Sequence, residues 1–186
     1  MSVQLLRRKF TVIEYQKMAE SGILTEDDRV ELIRGEIIKM SPIGRRHASC
    51  VARLNRIFTL RLREAAIVWP QNPIELDDAS EPQPDLVLLK PRPDFYESGH
   101  PQASDIFLLV EVADTTIEAD REVKIPLYAE DCISEAWLVD INEQCVEVYR
   151  QPTPTGYQII QRYQRGQTLS TQAFPDIKIM VDEVLG

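Results

Sequence analysis

Ile106-Phe107-Leu108-Leu109-Val110-Glu111-Val112-Ala113 is the most apolar stretch of the chain, and it contains one carboxylate. A run that is apolar at odd and even positions alike belongs to a strand covered on both faces. The stretch is therefore read as a central strand of a sheet. Ionised Glu111 inside it would lose its hydration, at a cost on the order of several kcal/mol unless something pairs it. Three arrangements meet that demand: a structural ion pair, a strand end open to a cleft, or a bound cation. An ion pair and a functional site produce the same pattern, so Glu111 alone does not decide between them.

Reading outward, Asp85 opens a second apolar strand, Asp85-Leu86-Val87-Leu88-Leu89, after Glu81-Pro82-Gln83-Pro84. An Asp at a strand start is often only a turn residue. Two carboxylates at the edges of two apolar strands are less accidental. If the strands are neighbours, both side chains reach one hard cation, which prefers oxygen ligands and keeps several waters. Downstream, residues 118–130 read as a helix and 135–140 as a strand, so segment 106–140 reads as a strand–helix–strand crossover. On that helix Asp120, Lys124 and Tyr128 stand at i, i+4 and i+8 and share a face. The plain reading is a helical ion pair. The sharper one brings the Lys124 ammonium over the end of the Glu111 strand, close to a scissile phosphate.

The remaining elements follow from periodicity and punctuation. Residues 11–20 read as a short helix with Thr11 as N-cap and Gly22 just beyond it. Residues 29–40 read as two strands about Arg34-Gly35. A long helix over 47–65 carries its apolar stripe on Ala48, Val51, Leu54, Ile57, Phe58 and Leu62. Extended segments follow at IVWP, PIEL and DLVLL within 67–89, then a loop over 91–105. Further strands are expected near 146–150, 157–163 and 168–170, with a short turn or helix after Phe174-Pro175. The class is α/β or α+β with a mixed central sheet flanked by helices. The 186 residues fit one domain, 1–186, with its core over about 10–185.

Composition narrows the function classes. The net charge of −9 argues against a protein that coats nucleic acid, but not against an enzyme with a local basic cleft. Arg45, Arg46, Arg53, Arg56, Arg61 and Arg63 crowd the long helix, as a solvated face or as contacts to backbone phosphates. Cys50, Cys132 and Cys145 form no CxxC and no disulfide framework. No apolar run approaches the length that spans a bilayer, and the start MSVQLLRRKF has no apolar core before a cleavage site. A cytoplasmic protein without a membrane partner is expected.

Pro84-Asp85 and Glu111-Val112-Ala113 together resemble the PD-(D/E)XK nuclease core. Ala113 stands where that motif places its lysine. The departure is similar to one bacterial family of that superfamily, the restriction-endonuclease domain proteins long described as of unknown function, in which the lysine is displaced onto the following helix. The resemblance runs over roughly residues 10–185. It rests on Arg29-Val30-Glu31-Leu32-Ile33-Arg34-Gly35-Glu36, Met40-Ser41-Pro42, His47, Gln83-Pro84-Asp85-Leu86, Val110-Glu111-Val112, Asp120, Lys124, Leu127-Tyr128, Glu135-Ala136-Trp137-Leu138-Val139-Asp140 and Val146-Glu147-Val148-Tyr149.

The resemblance implies a restriction-endonuclease-like core and a Mg²⁺-dependent deoxyribonuclease, with Mn²⁺ as a substitute. Asp85 and Glu111 would hold the metal, and Lys124 and Glu31 would complete the catalytic set. Gln83, His47, Asp120 and Tyr128 are candidate accessory residues, with a surface or capping role as the alternative for His47. Asp114 is read as a cap for the helix that follows. DNA is the expected substrate and a homodimer the expected assembly. The competing reading is a non-catalytic binding or assembly module that keeps the nuclease fold and uses the metal only structurally.

Overall fold

Thr11 closes a capping box on the first helix, α1 (Val12–Glu20). Its hydroxyl accepts the Glu14 N–H at 3.2 Å while the Glu14 carboxylate accepts the Thr11 N–H at 3.1 Å. The computed structural model describes residues 7–25 and 27–186. Contacts divide the chain into two units: residues to Met40 together with Glu75–Pro82, and Ser41–Ile74 together with Gln83–Gly186.

In the smaller unit, β1 (Val30–Ile33) and β2 (Glu36–Lys39) form an antiparallel hairpin. Arg34 and Gly35 lie at φ 48° and 78°. Two consecutive left-handed residues are what a tight two-residue hairpin turn requires. A Cβ at Gly35 would stand 2.7 Å from the Lys9 Cβ, so the position also admits no side chain sterically. Residues 73–76, expected to be extended, form no strand. The Leu76 N–H instead reaches the Ser80 carbonyl at 3.1 Å across a tight turn, and Pro73 has no N–H to give a ladder.

The larger unit begins with α2 (Arg45–Leu62), two residues ahead of the expected start because Gly44 is the N-cap. Next come β3 (Ile67–Pro70), β4 (Leu86–Leu89) and β5 (Ile106–Ala113). The expected helix over 118–130 is a composite. It runs as α3 (Ile117–Ala119), a π turn over Asp120–Lys124 in which the Ile125 N–H bonds the Asp120 carbonyl, and α4 (Ile125–Glu130). Pro126 lies in the first turn of α4, where its missing N–H and its ring disfavour the regular α pattern just upstream. Strands β6 (Glu135–Asp140), β7 (Cys145–Thr153) and β8 (Gly156–Gln164) complete a six-stranded sheet in the order β3-β4-β5-β6-β7-β8. The β5–β6 pair is parallel and the other pairs are antiparallel, so the sheet is mixed, as the crossover demanded. A small pair, β9 (Thr168–Leu169) with β10 (Ile179–Met180), and α5 (Val181–Leu185) end the chain.

The period of two along the strands assigns the faces. Leu86, Leu88, Leu108, Val110, Val112, Trp137 and Val139 share one core with Val51, Leu54 and Phe58 of α2. Glu111 therefore points to the opposite face, where Tyr128 of α4 meets it. Among the described residues no helix is long and apolar enough to cross a membrane.

Candidate active site

The register of the sheet brings Asp85 to Glu111. Leu86 pairs with Val110, so the residue before Leu86 lies beside the end of β5. There Asp85 uses its side chain where the backbone of β4 leaves the ladder. Its Oδ2 accepts the N–H of Val112, the residue after Glu111, at 2.9 Å. His47, in the first turn of α2, places Nε2 2.9 Å from the same carboxylate. Gln71 donates to Oδ1 at 3.4 Å and gives its backbone N–H to the Asp85 carbonyl at 3.1 Å. Gln83 in turn donates its amide to the Gln71 carbonyl. A carboxylate has about four acceptor positions. Those three donors leave about one.

Glu111 is only 2% exposed. The Tyr128 hydroxyl donates to its Oε1 at 2.5 Å, and the Lys124 ammonium lies 3.3 Å from the same oxygen. Lys124 is itself mostly buried, so water screens this pair less than a surface one. Ala113 is fully buried in β5, and the cation reaches Glu111 from the π turn instead. The turn changes the geometry assumed from sequence. Asp120, Lys124 and Tyr128 do not follow a regular i, i+4, i+8 spacing. Lys124 and Tyr128 converge on Glu111, while buried Asp120 accepts the Thr116 hydroxyl at 2.6 Å.

The hydrogen bond to Asp85 is the main reason the His47 pKa lies above its ordinary value. Burial opposes it, and the charges of Asp85, Asp120 and Asp114 support it. His47 Nδ1 is buried without a hydrogen-bond partner among the described residues. Asp114 does not cap the following helix, because that helix starts at Ile117 with Thr116 in the N-cap position. It pairs with Arg46 at 3.2 Å instead. Glu31 is buried in the smaller unit.

Sequence reading did not single out Gln71. Its only signal is Pro70-Gln71-Asn72-Pro73, a polar pair between prolines. It becomes telling once Pro70 is known to pair with Leu86, because Gln71 then falls opposite Asp85.

The donor set offered to a cation is two carboxylates, all oxygen, beside one ammonium. Mg²⁺ is held by one or two carboxylates with water filling its remaining positions, and this set fits that demand. Among the described residues no group of three or more His, Cys, Asp or Glu side chains is placed to hold a metal ion.

Comparison with known proteins bears on the family and the fold. The family model described as "Uma2: Putative restriction endonuclease" matches residues 12–182. A crystal structure described as a putative nuclease belonging to DUF820, from Anabaena variabilis, superposes with a TM-score of 0.73 at 16% sequence identity. The alignment covers 95% of this chain and 97% of that one, which shows a shared nuclease-like fold. No curated protein matches in sequence. The chain belongs to the Uma2 family of restriction-endonuclease-like proteins.

Proposed function

We propose that this protein is a metal-dependent endonuclease that hydrolyses DNA phosphodiester bonds at Asp85, Glu111 and Lys124. The observation that carries the reading is the convergence of Lys124 and Tyr128 on one oxygen of buried Glu111, one residue from the backbone N–H that holds Asp85. Asp85 and Glu111 would hold Mg²⁺, with Mn²⁺ as a substitute. When bound there, such an ion would supply Lewis acidity to the phosphate and lower the pKa of water.

The protein's own groups do the positioning. Tyr128 fixes the Glu111 carboxylate. His47, the Val112 N–H and Gln71 fix Asp85. The Lys124 ammonium stabilises the negative charge that grows on the phosphate oxygens, and it acts from a mostly buried position where such charge is poorly screened. Glu31 is proposed as a third acidic group on the strength of the family pattern. A double-strand cut needs two sites on one duplex, which is the reason to propose a homodimer.

Supercoiled plasmid at low salt tests the reading. Nicking with Mg²⁺ or Mn²⁺, absent with EDTA, is expected. Lys124→Ala is expected to slow it by about 10²–10³-fold, the usual loss when a transition-state charge stabiliser is removed. Asp85→Ala is expected to abolish it. Equal cutting by both variants would sink the residue assignment. No cutting by the wild type, with metal binding intact, would establish the non-catalytic module instead.

A further inference from the structure

Beside the first turns of α2 lies a cavity of about 390 Å³. Arg45, Arg46, Arg53 and Arg165 line it with Ser49 and Gln144, and no Asp or Glu side chain does. That is unusual in a chain of net charge −9. Part of the positive charge is already engaged. Arg46 pairs with Asp114 at 3.2 Å and Arg165 with Asp182 at 3.1 Å. Arg53 donates to the Leu185 carbonyl at 2.9 Å, and Arg165 to the Gly186 carbonyl at 2.9 Å. These bonds hold three guanidinium groups in place. Arg45 is exposed at the rim. Neither Arg45 nor Arg53 has an Asp or Glu partner among the described residues, and Arg53 lies against Leu185 and Gly186. The pocket thus combines guanidinium groups fixed by hydrogen bonds with Arg45, which no Asp or Glu pairs, and such planar donors suit a phosphate group better than flexible lysines would.

The charge does not stop at the pocket. Exposed Arg56 lies eleven residues, or about three helical turns, beyond Arg45, on the same side of α2. The row runs for roughly 16 Å along the helix axis, at about 1.5 Å per residue. One phosphate is far shorter than that, whereas one DNA strand places a charge about every 3.4 Å of helix axis. The row also starts next to the candidate active site, since His47 on the same helical turn holds Asp85 and Arg46 holds Asp114 just past β5.

We infer that the arginine pocket and the Arg45–Arg56 row form a backbone-phosphate subsite, which grips the DNA strand on one side of the scissile phosphate. The inference rests on the nuclease reading. It concerns binding, however, so it is tested without cleavage. Labelled duplex DNA is titrated with the full chain in EDTA over a series of salt concentrations, with fluorescence anisotropy as the readout. The double variant Arg45→Glu/Arg56→Glu changes two exposed side chains. It is expected to bind at least about 10-fold more weakly and to flatten the logarithmic salt slope by about 2, close to 0.9 per lost phosphate contact. Lys17→Glu/Lys39→Glu makes the same change in net charge on the smaller unit, and it is expected to leave both quantities near wild type.

Unchanged affinity and slope in the arginine variant would overturn the subsite, even if Asp85→Ala still abolishes cutting. An equal loss in both double variants would overturn it too, since net charge would then suffice. Tight binding of inorganic phosphate that leaves DNA affinity untouched would reassign the pocket to a small anion. Wild-type protein that shows the arginine effect but never cuts would leave the subsite standing and overturn the nuclease reading alone.

Discussion

Two buried glutamates stand on adjacent strands of the sheet, and they are held in different ways. Glu135 on β6 is fully buried and tied by geometry that leaves little play. Arg150 reaches its Oε1 with Nε at 3.0 Å and Nη2 at 2.7 Å, and Trp137 Nε1 donates to the same oxygen at 2.9 Å. The Gln172 N–H takes Oε2 at 2.6 Å, so the carboxylate also pins the segment after β9. Glu111 on β5 is nearly as buried, but the cation that meets it is a lysine, a compact point charge on a flexible stem. A phenol completes the contact on the same oxygen. A planar guanidinium that sets two N–H groups on one oxygen builds structure. A single flexible ammonium and a phenol on one oxygen are the arrangement on which the proposed function rests. Burial of a carboxylate in an apolar strand is therefore common to both, and the chemistry of its partners separates them.

The comparison is broken most directly by making one substitution at both positions. Glu135→Gln removes the charge from a buried pair and leaves Arg150 uncompensated, so a stability loss of about 3–5 kcal/mol is expected in urea unfolding. Glu111→Gln keeps the shape and an acceptor for Tyr128, and the flexible Lys124 stem can turn its ammonium toward water, which the Arg150 guanidinium, also bonded to the Ser170 carbonyl, cannot. A change of less than about 1 kcal/mol is expected, together with loss of cleavage. Similar losses at both sites would erase the distinction and make Glu111 a structural ion-pair residue.

A smaller effect sharpens the same contrast through the cysteines. Burial pushes the Cys50 thiol up to about 12, and it raises that of Cys145 as well. The thiolate is the reactive form, so at pH 8 both are nearly all protonated as well as covered. Cys132 is exposed. An aromatic disulfide reagent at pH 8 is expected to modify about one thiol in the wild type and in Glu111→Gln. In Glu135→Gln the other two are expected to follow as the fold opens. Rapid labelling of Cys50 in the native wild type would contradict the packing of α2 on the sheet.

Much of the frame was legible in the chain itself. The octet around Glu111 announced a central strand because it is apolar at both parities, and β5 does lie inside the sheet. The crossover to β6 followed from the length and period of the segment between them. The hairpin turn was written in Arg34-Gly35 and the start of α1 in Thr11. What escaped depends on distant partners. Residues 73–76 look extended locally, yet their hydrogen bonds close a turn at Asp77–Ser80. The π turn over Asp120–Lys124 lies just ahead of Pro126, and a regular 3.6-residue period did not show it. Asp114 was read as a helix cap from its local sequence, whereas its partner Arg46 lies on α2. Gln71 needed the β3–β4 register before it could be linked to Asp85.

The central claim is that Asp85 and Glu111 jointly hold a divalent ion beside Lys124, and a crystal soaked in Mn²⁺ with anomalous diffraction tests it most directly. The account predicts one strong peak within coordination distance of both carboxylates, lost in Glu111→Gln. A peak that touches neither carboxylate, or that persists unchanged in that variant, would contradict it.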